Sequence, residues 1–307
     1  MGQILQKALG CIFAIALGYV LKRLGFFQAK EKETIKKITL NITLPAAVIT
    51  SFAGFQPEAQ LYLLILLGLG ANLLFLTMGM LLGRNKDKAT KVFYMNNCPG
   101  YNIGAFTMPF VQNFLGAFGM VVTCLFDMGN SVMCTGGTYA LTSAKTGESK
   151  TSAKAVAKTM LSSVPFDVYC IMIFVALLGL PLPEALISVT SFVGNANGFL
   201  AMLMIGMMFE MQFQPQHLKQ TAVVLLIRYT GAALLAMLFY FVLPFSLEIR
   251  QVLVLLCFAP IPSISPVFTG RCGGDEGLSS FAASISILIS IAIMTTLVVT
   301  MGLGTGA

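Results

Sequence analysis

Ionisable side chains inside long apolar stretches are the residues of this sequence best suited to chemistry. Asp127 lies about 10 residues into such a stretch, which is about 15 Å along a helix. Its carboxylate could bind a cation or carry a proton, or a hydrogen bond to a neighbour such as Asn130 could hold helices together. Arg228 and Asp167 lie at similar depths in two other stretches. We predict that these two form an ion pair. The alternatives are that Arg228 extends its charged group to the membrane–water interface, or that it recognises an anion.

Two apolar stretches contain prolines and glycines at their middles. The first reads NNCPGYNIGAFTMPF over residues 96–110, and the second reads CFAPIPSISPVF over residues 257–268. A proline lacks the amide hydrogen of a helix and clashes with the carbonyl group four residues before it. In a bilayer, freed backbone groups are tolerated only inside the protein or beside a wet cavity. We therefore predict that both stretches form a binding site near mid-membrane, with two ordinary proline kinks as the alternative.

The polar groups beside these breaks are the candidates for binding a ligand. A half-helix that begins at a break points its amide end inward and acts like about half a positive charge, so an anion could bind without a charged side chain. Pro45 and Gly198 are expected to interrupt two further stretches, which adds second-line candidates. The predicted binding residues are Asn102, Gly104, Pro99, Pro260, Pro262, Ser263 and Ser265, followed by Asn41 and Asn197.

The sequence lacks the motifs of the common enzyme classes. His217 is the only histidine, which excludes an HExxH zinc site, and it lies in the seventh loop beside Pro215, which argues against a histidine-based triad. The seven cysteines form no CxxC pair, and there is no GxxxxGK[ST] phosphate-binding motif. An aspartyl pair of Asp127 and Asp275 is disfavoured because Asp275 lies in a loop. We predict no enzymatic activity, no cofactor, no metal ion and, since the basic residues form no single stripe, no nucleic-acid partner.

The elements that must position these residues are membrane-spanning helices. Of the 307 residues, 57% are hydrophobic and 10% are charged, whereas soluble domains have about 25% charged residues. A helix needs about 20 apolar residues to cross a bilayer, and apolar stretches recur along the whole chain. We predict ten spans, at residues 4–22, 35–55, 60–83, 92–113, 117–142, 160–180, 185–209, 220–243, 249–269 and 278–303.

The basic residues between the spans favour one orientation. Nearly all Lys and Arg residues of the loops fall in the odd-numbered loops, whereas the even-numbered loops contain only Arg250. Because cytoplasmic loops carry the excess of Lys and Arg, we predict that the odd loops are cytoplasmic. Both termini would then lie on the outer side of the inner or plasma membrane. The polar loop at 144–159 divides the chain into halves at 1–143 and 160–307. Because five is an odd number, halves of five spans each that share a fold must be inverted relative to one another.

Several motifs resemble the auxin efflux carrier family, which includes plant PIN proteins and bacterial malate-permease-like members. GYVLKRLGFF and LNITLPAAV, at residues 18–27 and 40–48, resemble its basic loop and proline-broken span. Asn102, Gly104 and Pro109 match its N-x-G…P element. FDMGN at 126–130 resembles the polar part of its fifth span, and RCGGD at 271–275 is similar to its Gly-Gly-Asp loop.

This resemblance covers nearly the whole chain and carries expectations of its own. It implies an all-α integral membrane protein of ten helices in two inverted five-helix repeats, with the broken helices four and nine crossing and the substrate bound beside the crossing. It also implies export or exchange of organic anions. Thr107 departs from a common glycine of the family, and Pro260, Pro262 and Pro266 replace a single proline followed by a polar residue.

We therefore predict a secondary active or facilitative transporter of small organic anions that works by alternating access. A sodium-coupled carrier of the bile-acid symporter type is one alternative, and a membrane solute sensor without transport is another. The expected partners are the organic anion, a coupling proton or sodium ion, and the lipid bilayer. A homodimer is one option for the oligomeric state.

Overall fold

The computed structural model describes residues 2–147, 152–209 and 215–303. Apolar side chains dominate this part of the chain, and its regular structure is helical throughout, without a strand. The α-helices are α1 Gly2–Arg23, α2 Ala29–Ile38, α3 Leu44–Ser51, α4 Leu63–Leu82, α5 Lys88–Asn97, α6 Met108–Val132, α7 Thr138–Thr146, α8 Ala153–Met160, α9 Val164–Leu177, α10 Glu184–Gly194, α11 Asn197–Met208, α12 Leu218–Phe241, α13 Leu247–Cys257, α14 Ser265–Arg271 and α15 Glu276–Thr300.

The chain is an integral membrane protein by the length and apolarity of its helices. Within the described residues, five helical segments are long and apolar enough to cross a bilayer. The helices α8 and α9, which are bent by 77° relative to one another, add a sixth crossing if they are taken as one span. Helices lie over all ten predicted spans, but interruptions divide several of them into pieces shorter than a bilayer crossing. The segments that are long and apolar enough within the described residues are Ala59–Leu82, Ile103–Thr146, Glu184–Met208, Pro215–Phe241 and Glu276–Thr300.

The helix α6 folds back on itself at Gly116. This residue has φ 62° and ψ −156°, a conformation that residues with a side chain rarely adopt. In a straight helix, Met108 and Asp127 would lie about 28 Å apart. Instead, Met108 Sδ and Asp127 Oδ2 lie 3.3 Å and 3.2 Å from the same hydroxyl oxygen, that of Tyr169. The reversal falls between predicted spans four and five, where the sequence analysis places a loop.

The helices pack as two groups. The first bundle contains α1, α2, α3, α9, α10 and α11, with α1 against α11 and α3 against α10. The second bundle contains α4 to α7 and α12 to α15, with α4 against α6, α12 against α13, and α14 against α15. The helix α6 also contacts α3, α9 and α11, so it forms most of the interface between the bundles.

Glycines allow the closest helix pairs to approach. A side chain at Gly18 of α1 would overlap the Leu203 carbonyl of α11, and a side chain at Gly206 of α11 would overlap the Ile15 carbonyl of α1. The helices therefore pack backbone to backbone, which is how membrane helices gain van der Waals contact without a hydrophobic driving force. Gly68 and Gly129 make the same reciprocal contact between α4 and α6.

Two interruptions differ in detail from the prediction. A π-helical turn at Thr39–Thr43 precedes Pro45, which lies in the first turn of α3 and so causes no clash inside that helix. The break in the seventh span lies at Asn195 and Ala196, between α10 and α11. The prediction of a break at Gly198 is wrong, because this glycine lies inside α11, where its missing side chain makes room for Asn113.

The predicted cytoplasmic linker at 144–159 is partly helical. The helix α7 extends to Thr146, and α8 begins at Ala153 with a hydrogen bond from the Ala155 amide to the Ser152 hydroxyl. Such a side-chain cap satisfies an amide that the helix itself leaves unpaired. Residues 148–151 of the linker, including Lys150, lie outside the described residues.

Candidate functional site

The two predicted breaks lie in contact. The first runs from the end of α5 at Asn97 to the π-helical turn Ile103–Thr107, and the second runs from α13 to α14. The Asn102 amide of the first break donates to the Pro260 carbonyl of the second at 2.9 Å. Gly100 has φ 85°, and a side chain there would overlap the Pro262 ring. The two breaks therefore form one structural unit in the second bundle.

Arg228 of α12 lies between these breaks and binds both. Its side chain is 5% exposed, and its guanidinium donates to five carbonyl oxygens. The Nη2 atom lies 2.8 Å from the Gly100 oxygen and 3.2 Å from the Ala259 oxygen. All five carbonyls follow or end a helix, where backbone oxygens have no partner in the helix. They belong to Asn97, Cys98, Pro99 and Gly100 of the first break and Ala259 of the second.

The predicted ion pair of Arg228 and Asp167 is wrong. Asp167 lies half-buried in the first turn of α9, which belongs to the first bundle. Within the described residues no ion pair joins it to Arg228, whose donors are used by carbonyl groups. The partial negative charges of two helix ends replace the carboxylate that we expected.

Two asparagines hold the backbone of the first break. Asn72 Oδ1 accepts from the Gly100 amide at 2.7 Å, and Asn72 Nδ2 donates to Asn130 Oδ1 at 3.1 Å. Asn130 accepts from the Tyr101 amide at 3.1 Å and donates to the Tyr101 carbonyl at 2.9 Å. Asn130 therefore pairs with an irregular peptide as a strand would. Asn72 is not among the predicted site residues, although it is the only amide side chain in the apolar run from Leu63 to Leu82.

Two serines of α15 do the same for the second break. Ser290 donates to the Phe258 carbonyl at 2.6 Å, and Ser286 accepts from the Ile261 amide at 3.0 Å. Phe258 is one of the carbonyls that Pro262 should free from the helix. The backbone groups released by the prolines are thus largely bonded within the protein. Ser286 and Ser290 were also missed, although their spacing of four residues places them on one helix face.

A cavity of about 790 Å³ lies beside the two breaks. Residues of both breaks line it, as do α8, the start of α9 and the C-terminal end of α6. Its charged lining residues are Lys36, Asp127 and Arg271. A volume of this size is typical of sites for small organic molecules. The predicted site residues that line it are Asn102, Gly104, Pro262, Ser263, Asp127 and Asn130.

Several other predicted binding residues are not part of the cavity lining. Pro99 and Pro260 are buried, and their carbonyl oxygens accept from Arg228 and from the Asn102 amide. Ser265 is buried at the start of α14. Asn41 is exposed on the π-helical turn before α3 and is not among the residues that line the cavity.

Asn197 belongs to a different polar cluster, at the interface between the bundles. Its Oδ1 accepts from Thr43 at 3.1 Å, and its Nδ2 donates to Gln112 of α6 at 2.9 Å. Gln112 Nε2 in turn donates to the Gly194 carbonyl at the end of α10 at 3.0 Å. The cluster satisfies the backbone at the break of the seventh span, which explains the buried position of Asn197.

Asp127 is a second link between the bundles. It is 6% exposed, and its Oδ1 accepts from Asn130 Nδ2 at 2.8 Å. Its Oδ2 accepts from the hydroxyl of Tyr169, a residue of α9 in the first bundle, at 3.2 Å. Both alternatives predicted for Asp127 thus have a physical basis. Its hydrogen bond to Asn130 fits a role in holding the structure together, and its position in the cavity lining fits a role in binding a cation or carrying a proton. Tyr169 was missed because an aromatic residue in an apolar run gives no sign of its partner.

Comparison with known proteins found similarity to membrane transport proteins. A model of the family described as "Membrane transport protein" matches residues 3–169. A curated relative from Methanothermobacter thermautotrophicus, described as an uncharacterized transporter, is 22% identical over 290 residues. That match covers 93% of this chain and 94% of the relative, so the similarity extends over both halves.

Proposed function

The chain belongs to the membrane transport protein family, that of the auxin efflux carriers, and from this we propose that it carries small organic anions, carboxylates in particular, across the cytoplasmic membrane. The observation that carries the proposal is the cavity, which is lined by both breaks and lies at the interface of two bundles. A carrier needs a solute site between parts that can move relative to each other. A sensor would need only the site.

The lining supports an anion rather than a cation. The first half-helix after the break begins at Ile103, and Ile103, Gly104 and Ala105 all line the cavity. Amide groups at a helix start favour negative charge. Asn102 and Ser263 add side-chain donors from the two breaks. The opposite, negative helix ends at the breaks are occupied by Arg228, so they do not repel an incoming anion.

We also propose ten spans in two inverted repeats, with the repeat boundaries at 143 and 160. In this arrangement the second and the fourth span of each half are interrupted, which fits the order of interruptions along the chain. Lys36 and Arg271 line the cavity and lie at the ends of spans, beside loops that the charge pattern assigns to the cytoplasm. The cavity would then open inward, with both termini outside.

Alternating access would require the two bundles to move relative to one another. The hydrogen bonds that such a motion must break include Asp127–Tyr169, Gln112–Asn197 and Gln112–Gly194. All three join α6 to the first bundle. A solute that competes for these groups would supply the differential binding energy that shifts the two states.

Asp127 is our candidate for proton coupling, because it is the carboxylate among the cavity-lining residues. Asp127→Asn removes the exchangeable charge and keeps the side-chain shape. We expect proton-driven accumulation of solute in proteoliposomes to be lost while exchange of solute at equal pH continues. Asp167→Asn, outside the cavity, is the matched control and should retain coupling. Unchanged coupling in Asp127→Asn would exclude the role.

The substrate class can be tested by binding and then by flux. Purified protein would be melted with dicarboxylates, indole acids, amino acids and bile acids, each with and without sodium. A ligand at about 100 times its Kd stabilises the native state by about 2.7 kcal/mol. We expect carboxylates to raise the melting temperature of the wild type and of Asn41→Ala, but not of Asn102→Ala. Binding without flux in liposomes would favour the sensor, and sodium-dependent binding would favour the sodium-coupled carrier.

A further inference from the structure

The five carbonyl oxygens around Arg228 are an unusual partner set for an arginine. They come from two separate breaks and converge on one guanidinium, without a carboxylate. Oxygen ligands of this kind, drawn from unwound helices, are also what a monovalent cation uses in a membrane protein. We propose that Arg228 is a tethered cation that occupies the place of a free coupling ion, so that the contact of the two breaks forms without sodium. The inference rests on the proposed function of the cavity beside it.

The charge balance at this point supports the proposal. The helices α5 and α13 both end at the breaks, and each helix C-terminus carries about half a negative charge. Together they amount to about one negative charge, which the single guanidinium offsets. A sodium ion bound to the same oxygens would add a second positive charge at contact distance. With Arg228 in place, the site is therefore already filled in both space and charge.

Aromatic rings close the site from the other side. The Arg228 guanidinium carbon lies 5.7 Å from the centre of the Tyr101 ring and 6.0 Å from that of Phe75. Both distances allow a cation–π attraction, and both rings are buried. The guanidinium is thus shielded from water and lies close to two aromatic rings, as expected for a group that replaces a bound ion rather than one that samples solvent.

The proposal can be tested by removing the Arg228 side chain. In Arg228→Ala, carbonyl oxygens of both breaks would face an empty space about the size of a guanidinium ion. Buried oxygens without a donor are costly, so this variant should melt below the wild type by on the order of 5 °C or more. A small cation of the right chemistry should bind in the space and restore the loss.

The measurement is the melting temperature of purified Arg228→Ala with guanidinium, sodium or choline chloride. A concentration of roughly 10 mM lies far below the molar range in which guanidinium denatures proteins. We expect guanidinium to raise the melting temperature of this variant more than choline does, with no such difference in the wild type. Arg250→Ala is the control, because Arg250 is half-buried and donates to a single carbonyl, that of Tyr240. It should show no guanidinium rescue.

Two results would overturn the proposal. The first is an Arg228→Ala protein as stable as the wild type, or one that no cation stabilises more than choline. The second is a wild type whose stability rises with sodium but not with choline, since that would reveal a free ion site. If Arg228→Ala does not fold, Arg228→Lys and the wild-type sodium series decide: the ammonium keeps the charge with fewer donors, so it should fold with a reduced melting temperature. None of these readouts requires a substrate, so failure here is distinct from failure to find carboxylate transport.

Discussion

Asn130→Ala is the substitution that tests most directly how the first break is held. The wild-type amide accepts from the Tyr101 amide and donates to the Tyr101 carbonyl, at 3.1 Å and 2.9 Å. It also donates to Asp127 Oδ1 and accepts from Asn72 Nδ2. Asn130 and Tyr101 line the cavity but are both only 2% exposed, so these bonds are shielded from water in the folded protein.

The expected cost follows from the groups left without a partner. Each buried backbone group that loses its hydrogen bond costs about 1 to 3 kcal/mol, so the two groups of Tyr101 together give about 2 to 6 kcal/mol. Hydrogen bonds between membrane segments average about 0.6 kcal/mol, and the three that join Asn130 to Asn72 and Tyr101 give about 1.8 kcal/mol. The two estimates meet at about 2 kcal/mol, which is our expected loss.

The assay is thermal unfolding of the purified protein, combined with ligand binding. Asn130→Ala should lower the melting temperature clearly and weaken binding, because the break that lines the cavity loses its support. Asn113→Ala is the control, since Asn113 lies on the same helix and makes one weak bond, to Cys11 Sγ at 3.5 Å. An Asn130→Ala protein that melts and binds like Asn113→Ala would refute the idea that side chains hold this peptide in place.

Three shorter predictions concern packing, access and pH. Gly18→Ala should lower stability by about 1 to 3 kcal/mol through overpacking, measured by melting, whereas Gly10→Ala on the same helix, with nothing near it, should be neutral. Of the seven cysteines only Cys134 lines the cavity, so a charged thiol reagent on the cytoplasmic side should label the wild type but not Cys134→Ala, as read by mass spectrometry; reaction only from outside would contradict the inward opening. Hydrogen bonds from the Thr90 hydroxyl and amide hold the pKa of Asp87 below its ordinary value, so its capping contribution is present near neutral pH and lost as pH falls through that lowered pKa. The melting temperatures of wild type and Asp87→Ala should therefore differ near neutral pH and converge in strong acid.

Local backbone chemistry explains what the sequence could predict. The helical class follows from apolar length, and the breaks at Pro99 and Pro260 follow from the missing amide of proline. The turn between the fourth and fifth spans fell where Gly116 permits a reversal. Each of these features depends on residues that are close together in the chain, so one sequence suffices to find them.

Contacts between helices were harder to predict, because the position of a residue along its helix gives its depth in the membrane but not the residue it contacts. Arg228 and Asp167 have similar depths, yet they lie in different bundles, and the freed carbonyls of the breaks were the nearer acceptors. The side chains that bond the released backbone groups were not predicted for the same reason. Asn72 and the serines of α15 were visible as polar residues, but only their placement shows which peptide each one binds.

The Tyr169 hydroxyl has a property that bears on how the two bundles separate. It lies within reach of both the Asp127 carboxylate and the Met108 sulfur. A hydroxyl donates to a carboxylate and accepts from a carboxylic acid, so a proton added to Asp127 would reverse the direction of this bond while the hydroxyl hydrogen turned to the thioether. The tether would survive either charge state. Breaking this link would then require another hydrogen-bonding group, and a bound solute would supply one. The two bundles of the solute-free carrier would therefore separate less readily than those of the solute-bound carrier.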